Sequence, residues 1–314
     1  MKILITGAGG FVGQYLAREL LKDPENKLIL TDITVFSTPP SSIHPENAIC
    51  IQADLVKEPQ AVLIEKMDAV YVLHGIMSSG AEANLDLGLK VNVDATRHLL
   101  DCIRKKGWHT RFIYGSSIAV YGRPFPQKIT EDVYPTPEGS YGSEKVICET
   151  LINDYTRRGY IDGFAIRLPG VIIRTGAPTQ AASSFLSGII REPLAGKKCV
   201  VPTKDRSKTF WVCSINDIVL NLVYILGLPS DVLPLHRRVL NAPGMVVTIQ
   251  EMRDTLAKVA GQEMLDYIEE VEDTTFADLV QSWPCNFDVS LASGVGLSVR
   301  ETFGQAVEEY VRSL

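Results

Sequence analysis

Tyr141 and Lys145 are the pair in this chain whose types and spacing point most directly to chemistry. They stand four apart in Ser140-Tyr141-Gly142-Ser143-Glu144-Lys145, and Val146, Ile147, Leu151, Ile152 and Tyr155 continue the stretch at helical spacing. Both side chains therefore share one helix face. A phenol is too weak a base at neutral pH, but a neighbouring ammonium favours the phenolate and lowers its pKa. Such a pair can take a proton from a substrate hydroxyl. The run Arg111-Phe112-Ile113-Tyr114-Gly115-Ser116-Ser117 reads as a strand ending in hydroxyls, and Ser117 there can hold a substrate oxygen as charge develops on it. Tyr-x-x-x-Lys arises by chance in many helices, so its meaning depends on the elements around it.

Those elements begin at residue 2. Lys2-Ile3-Leu4-Ile5-Thr6 is a short apolar run, Gly7-Ala8-Gly9-Gly10-Phe11-Val12-Gly13 follows, and Tyr15, Leu16, Leu20 and Leu21 continue at helical spacing. Strand, glycine turn and helix form the context that a dinucleotide fingerprint requires. Gly7 takes the tight turn, Gly10 lets the backbone approach a pyrophosphate, and Gly13 lets helix and strand pack closely. Phe11 and Val12 open the helix, whose free N–H groups favour phosphate. Without a ligand the same stretch is only a tight strand–helix turn.

Leu28 to Asp32 reads as the second strand. Asp32 stands where a carboxylate accepts hydrogen bonds from the adenosine ribose and repels a 2′-phosphate, which favours NAD over NADP. Residues 33–47 read as a surface loop. A third strand, Ile49 to Ala53, ends at Asp54-Leu55, where the acid either touches the adenine or caps the next segment of chain. The fourth, Ala69 to His74, opens a loop through Ser78, Ser79 and Gly80; His74 is counted with the cofactor-lining residues, as a strand-end packing residue rather than an acid or base. Leu85 to Lys105 reads as one helix, with Asn92 in it. Strands alternating with helices imply right-handed crossovers and a parallel sheet. The fold class is α/β: a Rossmann-type doubly wound parallel sheet over residues 1–170, with a smaller, mostly C-terminal substrate lobe over 171–314, from which about 210–240 returns to the first domain.

Composition narrows the partners. The chain has 314 residues, a net charge of −6, and 46% hydrophobic against 22% charged residues. That balance argues against nucleic acid and for a soluble, cytoplasmic protein with a small-molecule substrate. Six cysteines without a Cys-x-x-Cys pair read as free thiols rather than a disulfide frame or metal site. The fingerprint begins too early to leave room for a signal peptide, and the apolar stretch Ile218 to Leu228 is too short to span a membrane. Thr248-Ile249-Gln250-Glu251 and Ser298-Val299-Arg300-Glu301 read as capping boxes opening two late helices, the first stopping near Gly261. Phe210, Trp211, Trp283 and Phe287 read as core.

The series Gly7-x-x-Gly10-x-x-Gly13, Asp32, Ser116-Ser117-Ile118-Ala119-Val120-Tyr121-Gly122 and Tyr141-x-x-x-Lys145 resembles the extended short-chain dehydrogenase/reductase family, also called the NAD-dependent epimerase/dehydratase family. The resemblance implies NAD as cofactor and a catalytic set of Ser117, with Ser116 as second choice, Tyr141, Lys145 and Asn92, the last supporting a proton relay through water. It also implies that Leu168-Pro169 lines the nicotinamide, that Lys145 reaches the nicotinamide ribose, and that helices near 88–105 and 141–158 pack a homodimer. His74-Gly75-Ile76-Met77 departs from the His-x-Ala-Ala common after the fourth strand. Ile118-Ala119 stands where 4,6-dehydratases carry an Asp-Glu pair, so that chemistry lacks its residues.

The stretches 181–196, 82–88 and Ser282-Trp283-Pro284 are similar to the D-erythronate dehydrogenase branch of the family, which implies C2 oxidation of a four-carbon sugar acid. An anionic substrate needs a clamp for its carboxylate, and Arg suits two-point contact. Arg174 is the first choice and Arg191 the second, each weighed against a surface charge or structural ion pair. Ser183 and Ser184 are hydroxyl partners, and Ser78 and Ser79 lie on the loop after the fourth strand. The alternatives are a ketone reductase of a secondary pathway, an epimerase that retains its NAD, and a non-enzymatic dinucleotide sensor. A sensor has no need of Ser117, Tyr141 and Lys145 together.

Overall fold

The structure, a computed structural model, describes residues 1–176, 183–273 and 282–314. In chain order the first half carries β1 (Lys2–Thr6), α1 (Phe11–Leu20), β2 (Lys27–Asp32), β3 (Ala48–Gln52), β4 (Ala69–Val72), α2 (Ser78–Ala83), α3 (Leu85–Gly88), a π-helical turn (Leu89–Asp94), α4 (Ala95–Lys106), β5 (Arg111–Ser117), α5 (Ser140–Arg157) and β6 (Asp162–Leu168). The second half carries β7 (Gly170–Ile172), α6 (Ser184–Leu194), β8 (Cys199–Val201), β9 (Thr209–Ser214), α7 (Ile215–Leu226), β10 (Val239–Asn241), β11 (Met245–Thr248), α8 (Ile249–Ala260), β12 (Ile268–Glu270), α9 (Ser290–Gly294) and α10 (Phe303–Arg312).

Seven strands form one sheet in the order β10-β6-β5-β4-β1-β2-β3, with parallel pairing throughout. Side chains alternate across a strand. Ile3 and Ile5 of β1 accordingly pack with Leu16, Leu20, Leu222 and Ile225 from α1 and α7, while Leu4 joins Leu99, Leu100, Ile103, Cys148 and Ile152 from α4 and α5 on the other face. Strand order reverses between β4 and β1, and a doubly wound sheet opens its ligand crevice beyond the carboxyl ends of the strands at such a switch point. Gly7, Gly75, Ser117 and Leu168 all stand at that edge.

β10 returns late in sequence to the outer side of β6, after β7, β8 and β9 have been laid down elsewhere. A three-stranded sheet in the order β11-β9-β7 and a β12–β8 pair carry the smaller lobe. Its core gathers Ile189, Ile190, Phe210, Val212, Met252, Leu256, Phe303 and Val307. Phe210, Trp211 and Phe287 are buried, and Trp283 packs against the same core.

Local structure departs from the sequence expectations in three places. The loop expected through Ser78 and Ser79 is the short helix α2. The continuous helix expected over Leu85–Lys105 is broken, because α3 passes through the π-helical turn before α4 begins. The last helix is not opened by Ser298-Glu301: Thr302 accepts from Gln305 N–H and the Gln305 side chain reaches back, so the box lies four residues later. Ser298 and Glu301 are otherwise engaged, their N–H groups donating to Asn221 and Asp217 of α7. Thr248 does cap α8, which ends at Ala260 before Gly261.

A buried polar network ties the sheet to α5. Arg167 of β6 donates to Glu149 of α5 at 2.9 and 2.7 Å, and Ser116 donates to the same carboxylate at 2.5 Å. Arg167 also donates to the Tyr121 hydroxyl, which reaches Asn241 of β10 at 2.9 Å. Arg167 and Glu149 are each 3% exposed, so removing one leaves the other as an uncompensated buried charge. Arg167→Leu is expected to lower stability by about 3–5 kcal/mol in urea titration, and the double change Arg167→Leu/Glu149→Leu by less.

Candidate active site

The glycine turn at the end of β1 is built for close approach. Gly7 has φ +66°, and a Cβ there would lie 2.6 Å from the His74 backbone nitrogen. At Gly13 a Cβ would lie 2.4 Å from the Gly7 carbonyl, so strand and helix pack as they do only with glycine. Gly10 precedes α1 with no side-chain cap, and the N–H groups of Phe11, Val12 and Gly13 form its unpaired first turn. Phe11 and Val12 are partly exposed there. Asp32 ends β2 beside this turn and accepts the Gly9 N–H at 3.0 Å.

Asp54 and Leu55 are placed differently. Asp54 accepts the Val56 N–H at 3.0 Å and pairs with Lys57, whose hydrogen bond is the largest cause holding the carboxyl below its usual range. It caps a turn, one of the two readings its position allows. The Leu55 side chain is buried in the core under β3 and β4, so only its backbone is available to a ligand.

Ser117 ends β5, and Tyr141 and Lys145 lie one turn apart on α5, which packs against that strand. The Ser117 hydroxyl oxygen accepts the Ala119 N–H at 3.1 Å, which leaves its proton free to donate into the crevice. Ser116, by contrast, is buried and committed to Glu149, which separates the two neighbouring serines. Lys145, 4% exposed, donates to the Gly115 carbonyl at 2.8 Å, with its ammonium 4.6 Å from the Tyr114 ring centre and 5.3 Å from that of Tyr141. Among the described residues the Tyr141 hydroxyl has no hydrogen-bond partner.

Asn92 sits in the π-helical turn, fully buried. Its Oδ1 accepts the Ile76 N–H at 2.7 Å, and its amide N–H groups go to the Ile76 carbonyl and to Glu144. It thereby clamps the loop after β4. Gly75 is needed there, since a Cβ would lie 2.8 Å from Asn92 Oδ1. Sequence reasoning did not single out Glu144. It is buried, its second oxygen has no partner, and burial pushes its carboxyl up. The room it occupies exists because residue 88 is glycine, where a Cβ would be 2.3 Å from Oε1. No spacing rule marks such a residue, because the fit depends on a glycine 56 positions upstream.

His74 accepts from, or donates to, Thr6 at 2.8 Å through Nδ1, while Nε2 is buried without a partner. Burial, then the charge of Lys145, lowers its pKa to about 4. It is a neutral packing residue.

The two candidate arginines part company. The Arg174 guanidinium lies half-buried 5.8 Å from the centre of the Phe11 ring, with no ion-pair or hydrogen-bond partner among the described residues. Burial is the largest cause lowering its pKa, followed by Arg191, while Tyr141 is close enough to oppose the shift. Arg191 does not fit the substrate-binding expectation. It is 5% exposed, paired with Glu192, and donates to the Arg174 carbonyl at 2.8 Å, so its guanidinium is spent inside the lobe. Leu168 ends β6 at the crevice edge, opposite Ser117 in register, and Pro169 follows it. Ser183 is exposed ahead of α6, and Ser78 is exposed at the start of α2. Neither is brought by any described contact to Tyr141. Ser184 and Ser79 stand beside them.

Comparison with known proteins settles the class. The model of the NAD dependent epimerase/dehydratase family matches residues 3–235. The chain belongs to this family. D-erythronate dehydrogenase of Haemophilus influenzae is 37% identical over 99% of both chains, and that of Cupriavidus necator is 36% identical over 99% of this chain and 98% of its own. A nucleoside-diphosphate-sugar epimerase of Agrobacterium tumefaciens, 33% identical, superposes with a TM-score of 0.91 over 99% of this chain and 94% of its own. The chain is thus an NAD-dependent oxidoreductase acting on CH–OH groups. The residues present fit that cofactor: an uncapped helix end with glycine room for a pyrophosphate, and Asp32 at the tip of β2. No helix of the described residues is long and apolar enough to cross a membrane, and they contain no metal-ligand cluster.

The His74 environment has a measurable consequence. The native ring resists protonation down to about pH 4, whereas the unfolded ring takes its proton near 6.5. Between those values the unfolded state binds more protons, so stability must fall as pH falls. His74→Asn is expected to flatten that part of the profile: equilibrium unfolding of wild type and variant should converge by roughly 3 kcal/mol from pH 7 to pH 4.

Proposed function

We propose that this chain oxidises a small hydroxy acid with NAD, with D-erythronate the first candidate and C2 the carbon oxidised. The observation that carries the anionic substrate is Arg174, a half-buried guanidinium beside Tyr141 that has no counter-ion among the described residues. Burying an unpaired cation is costly, and a carboxylate repays it with charge-assisted, two-point hydrogen bonding. The D-erythronate dehydrogenases, similar over nearly the whole chain, support the substrate.

In this reading Tyr141 takes the proton of the substrate hydroxyl, and Ser117 donates to the same oxygen to hold it in line. Lys145, buried beside Tyr141, supplies the positive charge that favours phenolate character as the proton moves. Asn92 fixes the loop behind them, and an ordered water held by its amide oxygen passes the proton outward. NAD, when bound, accepts the hydride and so supplies the redox chemistry. The glycine turn, Asp32, Leu168 and Pro169 orient it. The same residues serve ketone reduction in reverse; net accumulation of NADH distinguishes oxidation from epimerisation. We further propose a homodimer through α4 and α5, supported by Leu85, Leu89 and Ile147 exposed along that side.

NADH formation from NAD and D-erythronate, with other short aldonic acids and neutral alcohols alongside, tests the reaction. Tyr141→Phe is expected to lower kcat by about 10²–10⁴-fold. Arg174→Ala is expected to raise KM for acids by about 10–100-fold, as loss of hydrogen bonds to a charged group implies. No turnover of any acid by a protein that binds NAD would overturn the assignment. Light scattering at twice the monomer mass is the expected result for the dimer.

A further inference from the structure

We infer that Ser187, Arg191 and Glu192 of α6 are a positioning device for Arg174, and so set specificity for anionic substrates without touching the substrate. The inference rests on the reading of Arg174 as the carboxylate clamp. The Arg174 peptide is gripped at both ends. Its N–H donates to the Ser187 hydroxyl at 3.0 Å, and its carbonyl accepts from Arg191 at 2.8 Å. Ser187 and Arg191 are four apart on α6 and lie on one face, so a single rigid helix makes both contacts. Ser187, Arg191 and Glu192 are 5%, 5% and 8% exposed. Glu192 in turn fixes the Arg191 guanidinium, accepting from Nε at 3.0 Å and from a terminal nitrogen.

A buried Arg–Glu pair next to a second arginine is an expensive way to support a loop. Replacing such a pair with apolar groups is often neutral or stabilising. Here, after burial itself, the charge of Arg191 also lowers the pKa of Arg174, so the pair does not stabilise the charged form of that guanidinium. What the arrangement does supply is geometric precision. Two-point recognition of a carboxylate tolerates little error in the position of the guanidinium. Holding the peptide on both sides fixes the Cα from which that side chain springs. The pairing also commits the Arg191 guanidinium to Glu192, whereas that of Arg174 has no ion-pair partner among the described residues.

The test measures binding of D-erythronate to the enzyme–NADH complex by calorimetry, with erythritol as the neutral counterpart. Arg174→Ala, Ser187→Ala and Arg191→Lys are compared with wild type, and far-UV circular dichroism and NADH affinity confirm each fold. The expected result is a loss of about tenfold or more in erythronate affinity for Arg174→Ala, and of about three- to tenfold for Ser187→Ala and Arg191→Lys. NADH and erythritol binding should be unchanged in all three. If Arg174→Ala weakens erythronate while the two α6 variants, folded, bind it as wild type does, the positioning device is overturned and the clamp stands. If Arg174→Ala itself leaves erythronate affinity unchanged, the clamp fails and the device with it.

Discussion

A buried ammonium governs the catalytic half of this molecule. Lys145 has been taken out of water and given one carbonyl and two aromatic faces in place of a carboxylate. A cation in that position is tolerable only if each of those partners is held tightly. The Gly115 carbonyl and the Tyr114 ring come from the inner strand β5, and the Tyr141 ring comes from the same helix one turn earlier. Sheet and helix must therefore be locked in register, and the network of Arg167, Glu149 and Ser116 does this directly beneath the site. The acid–base residues and the stability of the sheet share one set of contacts.

The crevice is lined by groups of different electrostatic character. One is the glycine turn, with its uncapped helix end and Asp32. Over Phe11 at that helix end stands the guanidinium of Arg174, its backbone braced by α6. Tyr141 has a hydroxyl free among the described residues, and Ser117 has a proton to give. Neutral His74 beneath the loop completes the floor without adding charge, because burial keeps its ring unprotonated until well into the acid range.

Much of this was legible in the sequence, for physical reasons that differ from residue to residue. The glycine turn was readable because only glycine allows the φ of residue 7 and the contact at residue 13, so the spacing is close to a geometric statement. Tyr141 and Lys145 were readable because a helix puts residues four apart on one face. Ser116 and Ser117 were harder, since adjacent strand residues face opposite ways and composition does not say which side holds a partner. Arg191 stayed between clamp and structural ion pair because an arginine's long side chain reaches several neighbours; its partner is the next residue. Glu144 and the π-helical turn left no trace, since both depend on a side-chain fit that no periodicity encodes. The late capping box was misplaced because Ser298 and Glu301 have the right identities but are held by Asn221 and Asp217 of another helix.

The late return of β10 to the outer side of β6 carries a lesson for modularity. The nucleotide-binding sheet is not finished when its six-strand half of the chain has been made; it waits for three residues that arrive only after β7, α6, β8 and β9 of the substrate lobe have been threaded. The lobe cannot be treated as an appendage on a hinge, nor exchanged by cutting and joining at a single point near residue 170. Such a cut would strip the sheet of an edge strand and would take Asn241 from the Tyr121 hydroxyl. Recombination among relatives that respects this topology would have to move two separated segments together. New specificities are therefore more accessible by remodelling the surface of α6 in place than by swapping whole lobes.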